Sequence, residues 1–338
     1  MKKVATGIAL FFIAAGLAFA AAAPLKLVER YKMPENVKGR FDHLYADVQG
    51  NRLFVAAESA HQVLVFDLRT GKYLRSITGI QIPHAIFVRD DLHRIYVTDG
   101  GAGEVRIFDG RNYQLIGTVK LKVDSDSIGY DPTTHDLYVD DGGGDAHESF
   151  SMLSVVDTTH DKKVADIKID GDTLEAMALA KSSPLLYVNN PAKNWIDVVN
   201  RHTRQVVATW PVTACKRNVA LALDESSHRL FTACRSGVID VLDARSGKEL
   251  QSLPIAQGVD DLKFDPANKR LYAACWGDGG KIAVYHEDSP DHYSSLGRVP
   301  SGTSAKNESL ARPIHKLFVT VPPSERSVGE IYVYDEEE

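Results

Sequence analysis

Short apolar runs flanked by polar positions recur down this chain at a nearly constant spacing. They are Arg52-Leu-Phe-Val-Ala-Ala57, Arg94-Ile-Tyr-Val-Thr-Asp99, Asp136-Leu-Tyr-Val-Asp-Asp141, Leu185-Leu-Tyr-Val-Asn-Asn190, Arg229-Leu-Phe-Thr-Ala-Cys234, Arg270-Leu-Tyr-Ala-Ala-Cys275 and Lys316-Leu-Phe-Val-Thr-Val321. The steps between them are 42, 42, 49, 44, 41 and 46 residues. A second run follows each copy, as in Val63-Leu-Val-Phe-Asp67, Val105-Arg-Ile-Phe-Asp109 and Ile239-Asp-Val-Leu-Asp243. Short runs rich in Val, Ile, Tyr and Phe, bounded by Gly, Asn, Asp and Pro, read as strands joined by tight turns.

A period in the forties carrying several short strands is the signature of a propeller. The pattern predicts an all-β, seven-bladed β-propeller of four-stranded antiparallel blades. In the first repeat, Phe41–Asp47 reads as the inner strand, then Arg52–Ala57, Val63–Asp67 and Lys72–Ile77. The last repeat stops after its third strand, at Asp335, while residues 24–33 form a spare strand at the other end. The economical expectation is that this N-terminal strand completes the last blade and closes the ring, which removes two exposed sheet edges. Residues 21–338 then form one domain, and a monomer is expected. The Gly142–Ser149 insertion in the third repeat reads as a mobile surface loop.

The first twenty residues fall outside the repeat. Met1-Lys2-Lys3 is basic, Val4 to Leu17 is mostly apolar, and Ala18-Phe19-Ala20 is a small-x-small cleavage site, the pattern of a secretory signal peptide. The apolar stretch is shorter than the roughly 20 residues of a membrane span, and no cysteine precedes Cys215 to carry a lipid anchor. A periplasmic or secreted protein is expected. The net charge of −6, about −8 once Lys2 and Lys3 are removed, argues against a nucleic-acid or anionic-membrane partner.

The Leu-Tyr-Val-Asn/Asp/Thr runs resemble the YVTN repeat, and the chain is similar over its mature length to the YVTN (YncE-like) seven-bladed propellers of bacterial periplasm and surface layers. That resemblance implies the fold. It leaves function open, because such propellers include binding proteins, lactonase-like enzymes and domains of redox enzymes. No Cys-x-x-Cys-His is present for covalent haem.

Counting ten residues back from each Leu-Tyr-Val copy gives Asp42, His84, Asp126, Glu175, Val219, Asp260 and Lys306. Six of the seven are ionisable, and positions further along are apolar, so each inner strand is expected to begin charged and become apolar. In a propeller these starts surround one mouth of the central channel. His43, Ser127 and Asp261 stand one residue on, and Glu58, Asp99, Asp141, Asn190, Arg235 and Trp276 are expected as a rim. The predicted ligand-binding set is therefore Asp42, His43, His84, Asp126, Glu175, Asp260, Asp261, Lys306, Arg235 and Trp276. Crowded carboxylates need compensation, and a divalent cation (Ca²⁺, Mg²⁺ or Zn²⁺) on three or four of His84, Glu175, Asp126 and Asp260 would supply it. The competing reading is a water-filled mouth with each carboxylate solvated.

Cys215 and Cys234 flank one predicted hairpin but sit about three residues out of register, so buried small side chains are preferred over a disulfide. Cys275 is placed too far from Cys234 to bond it. His61, His93, His135, His160, His202 and His228 fall in turns. Neither a Gly-x-Ser-x-Gly elbow nor a phosphate-cradling glycine loop occurs. The expected function is a binding module that takes a small molecule or protein partner at the charged mouth. The alternative is a metal-dependent lactonase- or lyase-type enzyme with its site in the channel.

Overall fold

The computed structural model describes residues 23–337; the segment read as a signal peptide lies outside them. Seven four-stranded antiparallel sheets follow one another along the chain. Blade one is Leu44–Asp47, Arg52–Ala57, Gln62–Asp67 and Tyr73–Ile77, and blades two to six repeat that order. Blade seven takes Glu308–Ala311, Lys316–Val321 and Glu330–Glu336 from the end of the chain and its outer strand, Leu25–Lys32, from the beginning. That strand runs antiparallel to the third, with Leu25 opposite Glu336 and Lys32 opposite Glu330. The ring closes as expected. Helical residues among those described form five short 3-10 turns, and no helix among the described residues is long and apolar enough to cross a membrane.

The repeated apolar run is the second strand of each blade, covered on both faces, which is why it reads as continuous hydrophobicity rather than alternation. Leu53, Phe54 and Val55 are fully buried. The core lies between blades: Phe54, Ala56, Val63 and Val65 of blade one pack against Ile86, Val88, Ile95 and Val97 of blade two. Each of these phenylalanine, valine and isoleucine side chains contributes about 1.5–3 kcal/mol by burial. The tyrosines of the run add a polar tie to the next blade. Tyr96 donates its hydroxyl to the Thr158 carbonyl at 3.0 Å, and Tyr187 donates to the Ala244 carbonyl at 2.8 Å.

The aspartate ending many third strands fixes the next turn by accepting backbone N–H groups. Asp109 takes those of Arg111 and Asn112 at 2.8 and 3.0 Å. The residue before a second strand is left-handed in six blades: Asn51, His93, His135, His228, Lys269 and His315 have φ between 51° and 61°. Histidine and asparagine tolerate that region better than most residues, so these turn histidines have a backbone explanation.

Two expectations change. Cys215 and Cys234 form a disulfide; Arg217, at φ 60°, turns the chain so that Cys215, three residues ahead of the Asn218–Cys234 pair, returns to the strand end. Cys275 is a free, buried thiol. The Gly142–Ser149 insertion is built rather than open: Gly142 extends its strand and Gly143–Ala146 makes a 3-10 turn. The Gly144 N–H donates to the Asp172 carbonyl at 2.9 Å, and a Cβ on Gly143 would lie 2.4 Å from that oxygen.

Candidate functional site

The common register of the charged positions has a backbone cause. The N–H groups of Asp42, Asp126 and Glu175 donate to the carbonyls of Ala56, Asp140 and Asn189, the fifth residue of each second strand, at 2.9, 3.1 and 3.1 Å. The regular ladders start only at Leu44, Ile128 and Met177. Asp42, Asp126 and Glu175 therefore stand on the lead-in to their inner strands, Asp42 not within a strand beginning at Phe41 as expected, whereas His84 lies inside Pro83–Arg89.

From these lead-ins a network of polar contacts crosses the mouth. His84 donates from Nδ1 to Asp42 at 2.5 Å. His43 places Nδ1 3.2 Å from Asp261 Oδ2 and Nε2 3.8 and 3.9 Å from Asp42 and Asp126. Asn307 bridges Asp260 at 3.0 Å and Asp42 at 3.4 Å. Asp260 also receives Lys306 and Arg235, each at 2.5 Å, and Arg235 lies 3.6 Å from Glu175. Blade five has Val219 at the register position, and the guanidinium of Arg235, just after its second strand, fills the gap. Below the network lies a channel cavity of about 310 Å³ lined by His43, Tyr45, Phe87, Ser127, Asp261 and Lys263 among others.

Sequence comparison finds partial matches to curated bacterial proteins. The protein YncE of Salmonella typhi is 29% identical over 115 residues, 34% of this chain and 32% of YncE. The seven-bladed beta-propeller protein Rv1057 of Mycobacterium tuberculosis is 29% identical over 126 residues, 36% of this chain and 32% of Rv1057. The chain is a YncE-like seven-bladed propeller. Each match spans about a third of the relative's own length, and no family model matches. Among solved structures, the propeller resembles Kuenenia stuttgartiensis hydrazine synthase (TM-score 0.71, 17% identity, covering 86% of this chain and 96% of that one). It also resembles a chain of the mitotic checkpoint complex (TM-score 0.78, 13% identity, covering 100% of both). At those identities the likeness is one of fold.

The network divides the propeller's mouth into two electrostatic halves. On the side of blades five to seven, Asp260 and Asp261 are met by cations, whereas Glu308 is pushed far up by burial and has no hydrogen-bond partner for either carboxylate oxygen. Burial pushes the Asp261 carboxyl up, but Lys263, 2.8 Å away, and His43 hold it well below its ordinary range. Burial alone would strip both imidazoles; instead Asp261 and Asp42 hold His43 protonated far above its ordinary value. Asp126 and the Asp42 hydrogen bond likewise raise His84 to about 10. On the side of blades three and four the carboxylates outnumber their partners. Burial, then Asp126, raises Glu175 to about 8; burial, then Asp126 and Asp145, raises Asp124 to about 6. Asp140 is pushed far up by burial and by Asp126. One oxygen each of Asp126 and Asp140 is buried with no hydrogen-bond partner.

Asp42, Asp260 and Asp261 are paired with neighbouring side chains, and the ligand atoms that come together are not the set from His84, Glu175, Asp126 and Asp260, three or four of which were expected to share an ion. Glu175 and Asp260 turn toward Arg235, whereas Asp42, His43 and Asp126 bring ligand atoms within 4.8 Å of one another. Of the expected rim, Asp99, Asp141 and Asn190 are buried and hold loops. Asp99 accepts the N–H groups of Gln81 and Ile82, and Asp141 accepts that of Lys122. Glu58 pairs with Arg40. Trp276 is half exposed, with its indole over the Gly258 backbone, outside the network. Asp140, Asn307 and Lys263 were missed. Asn307 occupies the same position as His43 and Asp261, a signal available in the sequence; Asp140 is marked out only once the blades are assembled. A larger cavity, about 540 Å³, opens at the opposite end between blades three and four. Its buried charge is already satisfied, because Arg201 binds Asp131 and the Ser183 carbonyl.

Proposed function

We propose that this propeller is a binding module that holds a small, positively charged ligand at the acidic half of its channel mouth. The observation that carries this reading is the pair of buried, partnerless carboxylate oxygens on Asp126 and Asp140. They lie in a half-site where Arg235 stands 3.6 Å from Glu175 and the His43 and His84 imidazoles stand 3.9 Å from Asp126, none within hydrogen-bonding distance. Leaving buried anionic oxygen unpaired is costly, and a ligand that brings positive charge repays that cost where a neutral sugar does not. The Lys306–Asp260–Arg235 side then acts as a rigid wall. The Cys215–Cys234 disulfide supports an oxidising compartment, in keeping with export to the periplasm or beyond and with the bacterial source of the relatives.

Thermal-shift assays on tag-free, chelator-stripped protein test this with Zn²⁺, Ca²⁺, Mg²⁺, spermidine, choline, glucose and gluconolactone. At least one cation is expected to raise the melting temperature of wild type and to lose that effect in Asp126→Asn. Stabilisation by the neutral probes alone, or equal stabilisation of the variant, overturns the reading.

A further inference from the structure

We infer that Asp42, His43 and Asp126 form a transition-metal site, with one imidazole and two carboxylates facing a single divalent ion of the Zn²⁺ class. The inference rests on the cation-binding reading of the mouth and narrows it to a particular ligand triangle. Nε2 of His43 lies 3.8 Å from Asp42 Oδ1 and 3.9 Å from Asp126 Oδ1, and all three atoms are mutually within 4.8 Å. Contraction of the two His43 sides by a few tenths of an ångström suits the roughly 2.1 Å bonds of Zn²⁺, and the Asp42–Asp126 side lies within 4.8 Å.

Three further features prepare this triangle for an ion. The other nitrogen of His43, Nδ1, is 3.2 Å from Asp261 Oδ2. Donating the Nδ1 proton there turns Nε2, whose own proton an ion would displace, to face the site, the carboxylate–histidine arrangement that supports metal-ligating imidazoles. Asp261 is itself anchored by Lys263 at 2.8 Å and by the Glu308 N–H at 3.1 Å. Asp42 is oriented in the same way: Oδ2 accepts from His84, which leaves Oδ1 turned to the triangle with only a long 3.4 Å contact from Asn307. Asp126 Oδ1 is buried and has no hydrogen-bond partner. Behind it Asp140, 2% exposed, also has an oxygen without a partner. The imidazole favours Zn²⁺, Co²⁺ or Ni²⁺ over Ca²⁺ and Mg²⁺. The three ligands come from blades one and three, so an ion there would tie together parts of the ring that share no sheet.

Calorimetry with Zn²⁺, and absorption spectroscopy with Co²⁺, on tag-free stripped protein provide the test. One equivalent of Zn²⁺ and Co²⁺ ligand-field bands are expected for wild type. Asp126→Asn and His43→Gln should each lose at least 100-fold in affinity, and Asp261→Asn, acting through His43, about 10–100-fold. Asp126 makes no hydrogen bond through Oδ1, so Asp126→Asn keeps the test informative even if His43→Gln folds poorly. His286 and His292 flank Asp288 at the outer edge of blade six and are the competing chelate. Binding that survives Asp126→Asn but disappears in Asp288→Asn overturns the site, as does the absence of any stoichiometric binding. Spermidine titrated into the same stripped protein separates the two readings. If it binds while Zn²⁺ does not, the mouth remains a cation site without a metal; if neither binds, both readings fall.

Discussion

Replacing Glu175 by glutamine removes a carboxylate that folding forces into a buried, acidic surrounding. In the folded propeller Glu175 keeps its proton up to a pKa of about 8, against an ordinary 4.5, because burial and then Asp126 disfavour its charge. The unfolded chain releases that proton near pH 4.5. Below that pH both states are protonated and the residue costs nothing. Between pH 4.5 and 8 the unfolded state gains relative to the folded one, so stability falls, and above pH 8 the full cost stays constant. At about 1.4 kcal/mol per pH unit the ceiling is roughly 5 kcal/mol. Coupling to Asp126 and Asp140 spreads the protons over the group and reduces the share of this residue to about 1–3 kcal/mol. Arg235 keeps its 2.5 Å partner Asp260 in the variant. Melting curves of wild type and Glu175→Gln from pH 4.5 to 9 should therefore coincide at the acid end. The variant should melt a few degrees higher at pH 9. A difference that does not change with pH, or a variant less stable at pH 9 than at pH 4.5 relative to wild type, would refute the reasoning.

Other parts of the structure give sharp expectations. Deleting residues 24–33 strips the outer strand from blade seven and leaves Glu330–Glu336 with one unpaired edge, so the melting temperature should drop markedly; an unchanged melt would contradict ring closure. Non-reduced peptide mapping should find Cys215 linked to Cys234 and Cys275 alkylated only after denaturation, and Cys215→Ser should cost about 3 kcal/mol in chemical unfolding. Tyr187→Phe removes the 2.8 Å tie to the Ala244 carbonyl and should cost about 1 kcal/mol, with no effect on cation binding.

The ring was legible because the blade repeat writes itself into the chain twice, once as a doubly covered second strand and once as an aspartate-terminated third strand. The missing outer strand after Asp335 and the spare one at residues 24–33 were likewise visible as a mismatch between the two ends. The mouth was legible as a list of positions, since a fixed count back from each repeat reaches residues of which Asp42, Asp126 and Glu175 share one backbone hydrogen bond. What that count hides is direction and partner. Arg235 enters from a different element, and only assembled blades show that it and Lys306 neutralise Asp260 and leave Asp126 with two imidazoles at 3.9 Å and no hydrogen bond to its Oδ1. The disulfide was obscured because a single left-handed residue, Arg217, folds back a chain whose strand register alone keeps the cysteines apart.

The central claim, that the acidic half of the mouth takes a positively charged ligand, is tested most directly by crystals of the stripped wild-type protein soaked separately in Zn²⁺ and in spermidine. New density against Asp126 in at least one soak is the expected result, with an anomalous peak between His43, Asp42 and Asp126 in the Zn²⁺ case. A mouth without new density in both, or density confined to the outer edges of the blades, would contradict the account.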